Sequence, residues 1–183
     1  MRTVLITGFG PFPGITNNAS AALAEALDGA TLGTWRVVGR RLETSWTKAW
    51  PMLQAAVEAV APQALVMVGV APRDVPNLEC VARNISEARK DCDGELPRST
   101  LLADGPAEWH TTLPSAGVEA AGGRVSQDAG VYLCNAVFYL AMHHLGHIPH
   151  RGFVHIPQSG LWPGLRFVGH IIRNLPAPEA ATT

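Results

Sequence analysis

Ala64-Leu65-Val66-Met67-Val68-Gly69-Val70 is an unbroken apolar run. A strand with one wet face alternates apolar and polar residues, whereas a strand apolar at every position has to be covered on both faces. This run therefore predicts an inner strand of a sheet with helices on either side. Upstream, the short β-branched run Thr3–Thr7 is broken by Gly8-Phe9-Gly10-Pro11-Phe12-Pro13-Gly14. Asn18 or Ser20 then caps a helix over Ala21–Leu27 that Gly29 closes. Trp35–Leu42 alternates Val and Arg and reads as a second strand. Ser45 opens a helical stretch to about Val60, with Pro51 starting or kinking its main part. Downstream, Leu78–Ile85 is a further strand, and Lys90–Thr112 is a long polar loop with room for one short hairpin. A short helix at Ser115–Ala121, a small strand at Arg124–Ser126 and a helix around Cys134 follow. A strand over Arg151–Ile156 and a helix over Leu165–Leu175 close the chain. Strands alternating with helices predict an α/β fold, a three-layer α/β/α sandwich on a mainly parallel twisted sheet. Residues 1–183 read as one domain, without internal repeat, low-complexity segment or dividing linker.

Bulk composition narrows the function. The chain has 183 residues, 47% hydrophobic and 16% charged, with a net charge of −1. There is no basic excess for nucleic acid and no charged tail. The apolar start at Met1–Thr7 is too short for a signal sequence, and no stretch approaches the roughly 18 apolar residues that span a bilayer. Three cysteines, Cys80, Cys92 and Cys134, lack paired short spacings and predict free thiols in a reducing, cytoplasmic compartment.

Chemistry enters at Ala129-Gly130-Val131-Tyr132-Leu133-Cys134-Asn135. The residues after Cys134 keep helical period through Ala136, Val137, Leu140 and Ala141, which places the thiol in the first turn of a helix. Unpaired N–H groups and partial positive charge there lower a thiol's pKa and can cradle an oxyanion. His155, in Gly152-Phe153-Val154-His155-Ile156-Pro157, is a candidate base. Such a pair needs a third group to hold the imidazole, and Glu79, a carboxylate among apolar neighbours, is one that calls for a partner.

Three separated blocks together resemble the pyroglutamyl peptidases, also called pyrrolidone-carboxylate peptidases. They are Thr7–Gly14 with Asn18, Glu79–Asn84 with Arg89, and Ala129–Asn135 with Tyr139 and Phe153–Pro157. Pro106–Pro114 adds a weaker match. The resemblance implies an α/β cysteine exopeptidase that hydrolyses the N-terminal pyroglutamyl residue from peptides through a thioester, without cofactor or metal. It implies Cys134 as nucleophile, His155 as base and Glu79 as the group orienting it, with Arg89 supporting the oxyanion. Phe9 and Phe12 match aromatics that sandwich the lactam ring. Asn18, Tyr132 and Leu133 match further pocket positions, and a homo-oligomer is implied as well. Three features depart from the family pattern. Cys80 replaces a basic residue after Glu79, Val70 replaces a pocket-facing glutamine, and the tail after His155 is shorter. Val70 thus implies one lactam hydrogen bond fewer, and with it the alternative of a weak or inactive member that only binds pyroglutamate or peptide N-termini.

Other motifs carry less. His143 and His147 share a helix face at i, i+4, but no glutamate occupies the metalloprotease position, so His143, His144 and His147 read as a solvated helix end. Gly8, Gly10 and Gly14 superficially resemble a dinucleotide fingerprint, yet the last glycine falls one place late and prolines interrupt the turn. Trp46 and Trp50, at helical spacing, read as core.

Overall fold

The Ala64–Val70 run is a strand as read, and Ala64 through Gly69 are all buried. The computed structural model describes residues 1–176; the rest of the single-domain reading, 177–183, lies outside the described residues. The elements in chain order are β1 (Arg2–Phe9), α1 (Ala19–Leu27), β2 (Thr31–Leu32), β3 (Trp35–Leu42), α2 (Ala49–Val60), β4 (Ala64–Val70) and β5 (Asn77–Glu79). They continue with β6 (Val81–Arg83), β7 (Glu108–His110), β8 (Arg124–Ser126), α3 (Leu133–His144), β9 (His150–Ile156) and α4 (Leu161–Arg173).

Seven strands form the main sheet in the order β2-β3-β1-β4-β9-β5-β8. β3, β1, β4 and β9 run parallel, while β2 and β5 enter antiparallel to their inner neighbours. Successive side chains of a strand point to opposite faces, and this alternation divides the core in two. Val4, Ile6, Val66, Val68, Leu78 and Val154 pack with Leu23 of α1 and with Phe167 and Ile171 of α4. Leu5, Leu65, Met67 and Phe153 pack with Leu53 of α2 and with Val137, Phe138 and Ala141 of α3. The result is the three-layer α/β/α sandwich expected of the sequence.

Four local expectations need correction. Leu78–Ile85 is not one strand. The chain leaves the main sheet at Cys80, whose N–H donates to Ser126 O at 2.7 Å and whose carbonyl accepts from Thr111 N at 2.9 Å. Beyond it, β6 pairs with β7 as a separate two-stranded ribbon. Ser115–Ala121 forms turns rather than a helix, because Gly117 takes a left-handed φ of 77°. α2 begins at Ala49, not Ser45, and Pro51 lies in its first turn, where its missing N–H has no intrahelical partner to lose. α4 starts four positions earlier than expected, at Leu161 rather than Leu165.

Candidate active site

Alternation along the strands places the chemistry. Phe153 faces the α3 side of the sheet and Val154 the other, so His155 faces α3. Leu78 faces away from α3, so Glu79 also faces it. On β4 Met67 faces α3, and so does Gly69, which is paired in register with His155. All three positions lie at the strand ends below the start of α3. The chain puts Cys134 there as the second residue of that helix.

Gly69 makes the meeting possible. A Cβ at this position would stand 2.7 Å from Cys134 Sγ and 2.9 Å from the Phe153 ring. The bare glycine lets the sulfur lie against the sheet beside His155.

On the imidazole's other side, His155 Nδ1 donates to Glu79 Oε1 at 2.8 Å. Both side chains are buried, Glu79 completely. Burial opposes charge on the ring. Hydrogen bonds to Cys134 and Glu79 and the charges of both outweigh it, and the ring is pushed up to about 9. Such a ring holds a proton readily at neutral pH. Arg73, from the loop after β4, places Nη2 3.6 Å from the same Glu79 oxygen.

The start of α3 has no side-chain cap: Tyr132 is the N-cap residue and offers none. Asn135 anchors this turn instead. Its Oδ1 accepts from Arg83 N at 2.8 Å, and its Nδ2 donates to Arg83 O and Ile85 O at 2.8 and 3.0 Å. The helix end carrying the thiol is thereby tied to β6. First-turn N–H groups have no i−4 carbonyl within their own helix, so they can serve a developing oxyanion.

A small pocket opens above Cys134, lined by Phe9, Phe12, Asn18, Thr44, Val70, Tyr132, Leu133 and Cys134. It collects every substrate-binding position taken from the sequence and adds Thr44. Its volume of about 20 Å³ is room for about one water. Phe12, Val70 and Tyr132 also border an outer mouth of about 670 Å³ that reaches Arg73, Arg89 and Gln158. Asn18 lines the pocket with its amide already engaged. Its Oδ1 accepts from Ser20 N and Oγ at 3.1 and 2.8 Å, and its Nδ2 donates to Gly10 O at 3.0 Å. Thr44 Oγ1 donates to the same carbonyl at 2.8 Å. Both residues hold Gly10, where the loop that carries Phe12 leaves Phe9 at the end of β1.

Arg89 is exposed and lies over the Tyr132 ring at 4.7 Å and the Phe12 ring at 5.8 Å. Its carbonyl accepts from Trp46 Nε1 at 2.9 Å, and Trp46 meets Tyr132 edge-on at 5.2 Å. Burial pushes the Tyr132 phenol up to about 12, with the Arg89 cation opposing. The phenol stays a neutral donor, here to Lys90 O at 3.0 Å.

Trp46 lies in the turn before α2, so it shares no helix with Trp50; both are half-buried and Trp46 braces the site wall. The histidine reading also changes. α3 ends at His144, so His147 is off the helix and shares no face with His143. His143 packs against Tyr139 and Trp109, and His144 against Trp50. Gly8 serves packing, since a Cβ there would lie 2.0 Å from Ser20 O of α1. Gly69, Arg73 and Thr44 were absent from the sequence-derived set. A glycine ending an apolar strand, an arginine in a loop and a threonine before a helix carry no one-dimensional signal.

Residues 2–160 match the family model for pyroglutamyl peptidase. The pyrrolidone-carboxylate peptidase of Bacillus cereus (strain Q1) is 35% identical over 180 residues, covering 90% of this chain and 84% of the relative. That of Pseudomonas fluorescens is 40% identical over 171 residues, covering 86% and 79%. Among solved structures, the pyrrolidone carboxyl peptidase of Thermococcus litoralis superposes with a TM-score of 0.88 at 28% identity, covering 94% of this chain and 92% of the other. Pyroglutamyl peptidase I of Bacillus amyloliquefaciens gives 0.85 at 31% identity, covering 94% and 95%.

Proposed function

The chain belongs to the pyroglutamyl peptidase family, and from that premise we propose that Cys134, His155 and Glu79 carry its cysteine-peptidase chemistry. The enzyme hydrolyses N-terminal pyroglutamyl peptides. The observation that supports these residue roles most is the buried 2.8 Å bond from His155 Nδ1 to Glu79 Oε1. It fixes the ring so that Nε2 is left for the sulfur lying over Gly69.

The Cys134 proton passes to His155 Nε2, and Glu79 stabilises the resulting imidazolium. The thiolate attacks the carbonyl carbon of the pyroglutamyl residue. First-turn N–H groups of α3, with Arg89, hold the oxyanion. As the tetrahedral intermediate collapses, the C–N bond breaks and the amine takes the proton from His155. Water, deprotonated by the same ring, then cleaves the thioester and releases pyroglutamate and the free thiol. None of these steps calls on a metal or organic cofactor.

Phe9, Phe12, Asn18, Val70, Tyr132 and Leu133 form the lactam subsite. A space of about 20 Å³ is too small for a five-membered lactam, so the Phe12–Tyr132 wall, with ring centroids 6.2 Å apart, parts on entry. A closed inner end has no place for a residue preceding pyroglutamate, which accounts for exo-cleavage, and the outer mouth receives the leaving peptide. No helix among the described residues is long and apolar enough to cross a membrane. The free thiols of Cys80, Cys92 and Cys134 suit a reducing, cytoplasmic setting, and family membership supports a homo-oligomer.

Alkylation tests the assignment. Burial, then the Glu79 charge, pushes the Cys80 thiol up; burial, then Asp93 and Asp91, does the same for Cys92. Both are poor thiolates. Iodoacetamide should label Cys134 first, with activity lost in proportion to that label by peptide mapping, while EDTA leaves activity intact. Inactivation tracking Cys80 or Cys92, or loss of activity on chelation, would overturn it.

A further inference from the structure

Arg73 Nη2 stands 3.6 Å from Glu79 Oε1, the oxygen that also accepts from His155. The same nitrogen donates to Asp128 O at 2.8 Å, which fixes that end of the guanidinium beside the carboxylate. Glu79 is fully buried, whereas one third of the Arg73 side chain is exposed in the outer mouth. Arg73 Nε and Glu79 Oε2 are both buried without a hydrogen-bond partner among the described residues.

The geometry points to Arg73 as a positioning residue for the reaction, the cation that balances the thiolate–imidazolium–carboxylate row from behind His155. The inference rests on the roles proposed above for Cys134, His155 and Glu79. Charge counting shows why the reaction needs it. The row carries a net charge of −1 in a buried site both before the thiol proton moves and after, when it holds two negative groups and one positive group. Uncompensated buried charge is costly, and Arg73 brings the sum to zero.

The charged and titratable surroundings leave Arg73 as the cation that meets the carboxylate. Against Glu79 stand His155 from β9 and Cys80 next in the chain, with Cys134 from α3 on the other side of the imidazole. Arg89 is stacked on Tyr132 across the mouth. Arg83 is paired with the Asp128 carboxylate at 3.3 Å.

Removing a cation makes every nearby proton harder to release. In Arg73→Met both limbs of the kcat/KM–pH profile should therefore move to higher pH. A move of about one unit means roughly tenfold less activity along the acid limb. The pH midpoint for alkylation of Cys134, read by peptide mapping without turnover, should move the same way. Arg73→Lys keeps the charge and should keep both midpoints, even if its rate is lower. Arg73→Gln can still donate to the Asp128 carbonyl and supplies the neutral comparison should Arg73→Met fail to fold. Unmoved midpoints in a folded neutral variant would overturn the role of Arg73 while leaving the triad standing. Near-normal turnover by Cys134→Ala, measured alongside, would instead remove the triad beneath it.

Discussion

Gly69 has no side chain, and the Cys134 sulfur occupies the space one would fill. In Gly69→Ala the new Cβ would meet Sγ at 2.7 Å and Phe153 at 2.9 Å. Phe153 is held between Phe138 and Phe9, with ring centroids at 5.9 and 6.4 Å, so the thiol is the group that gives way. A misplacement of about 1 Å costs on the order of a hundredfold, and kcat/KM should fall by about that much, with about 1–3 kcal/mol of stability lost to overpacking. Wild-type kinetics in folded Gly69→Ala would mean that the sulfur does not work from this position. Val70 is a second residue-scale test. It borders both the inner pocket and the mouth, so the longer glutamine side chain has space on the mouth side. One restored neutral hydrogen bond contributes about 0.5–1.5 kcal/mol, or roughly 2- to 13-fold. Val70→Gln should lower KM by that factor with little change in kcat. A KM that rises or stays put would show that Val70 does not mark a missing polar contact to the lactam. Cys134, His155 and Glu79, which the fold brings together, could be singled out because each sits in a block that resembles the family. Gly69 and Arg73 could not, because their roles exist only across strands.

At the scale of elements, helices with caps and strands buried on both faces were readable, and β3 and β4 fall where their sequences place them. Of the two cap candidates Asn18 takes the role, and Ser20 lies inside α1, which starts at Ala19 and not Ala21. What misled was continuity. Leu78–Ile85 contains neither glycine nor proline, yet the ladder changes partner at Cys80, because β8 accepts the chain on one side and the β7 connection on the other. That break places the candidate site. It ends β5 at Glu79, so the carboxylate stays beneath His155 while β6 carries on to meet Asn135. The close seating of α1 was equally invisible. Cβ atoms at Gly8 and Gly39 would each come within 2.0 Å of a helix carbonyl, so backbone lies on backbone there, and the loop bearing Phe9 and Phe12 inherits its position from that contact.

For the whole molecule, the sandwich followed from alternating elements, but strand order did not. Nothing local says that β9 inserts between β4 and β5, and that insertion sets His155 beside Gly69 on one side and the Glu79 strand on the other. The assembled site then feeds back on stability. His155 is pushed up to about 9 in the folded protein from an ordinary 6.5, so the folded state binds this proton more tightly than the unfolded chain. Its stabilising contribution is fully present below about 6.5 and is lost as pH rises through about 9. Denaturant midpoints of wild type relative to His155→Gln should therefore converge across that window. A difference independent of pH would contradict the buried charged pair.

The central claim is that Cys134 is the nucleophile. Its most direct test is turnover of a pyroglutamyl-naphthylamide by Cys134→Ala, with folding verified by thermal melting. The variant should melt close to wild type while its kcat falls on the order of a million-fold. A folded Cys134→Ala protein that still releases naphthylamine at a rate near wild type would contradict it.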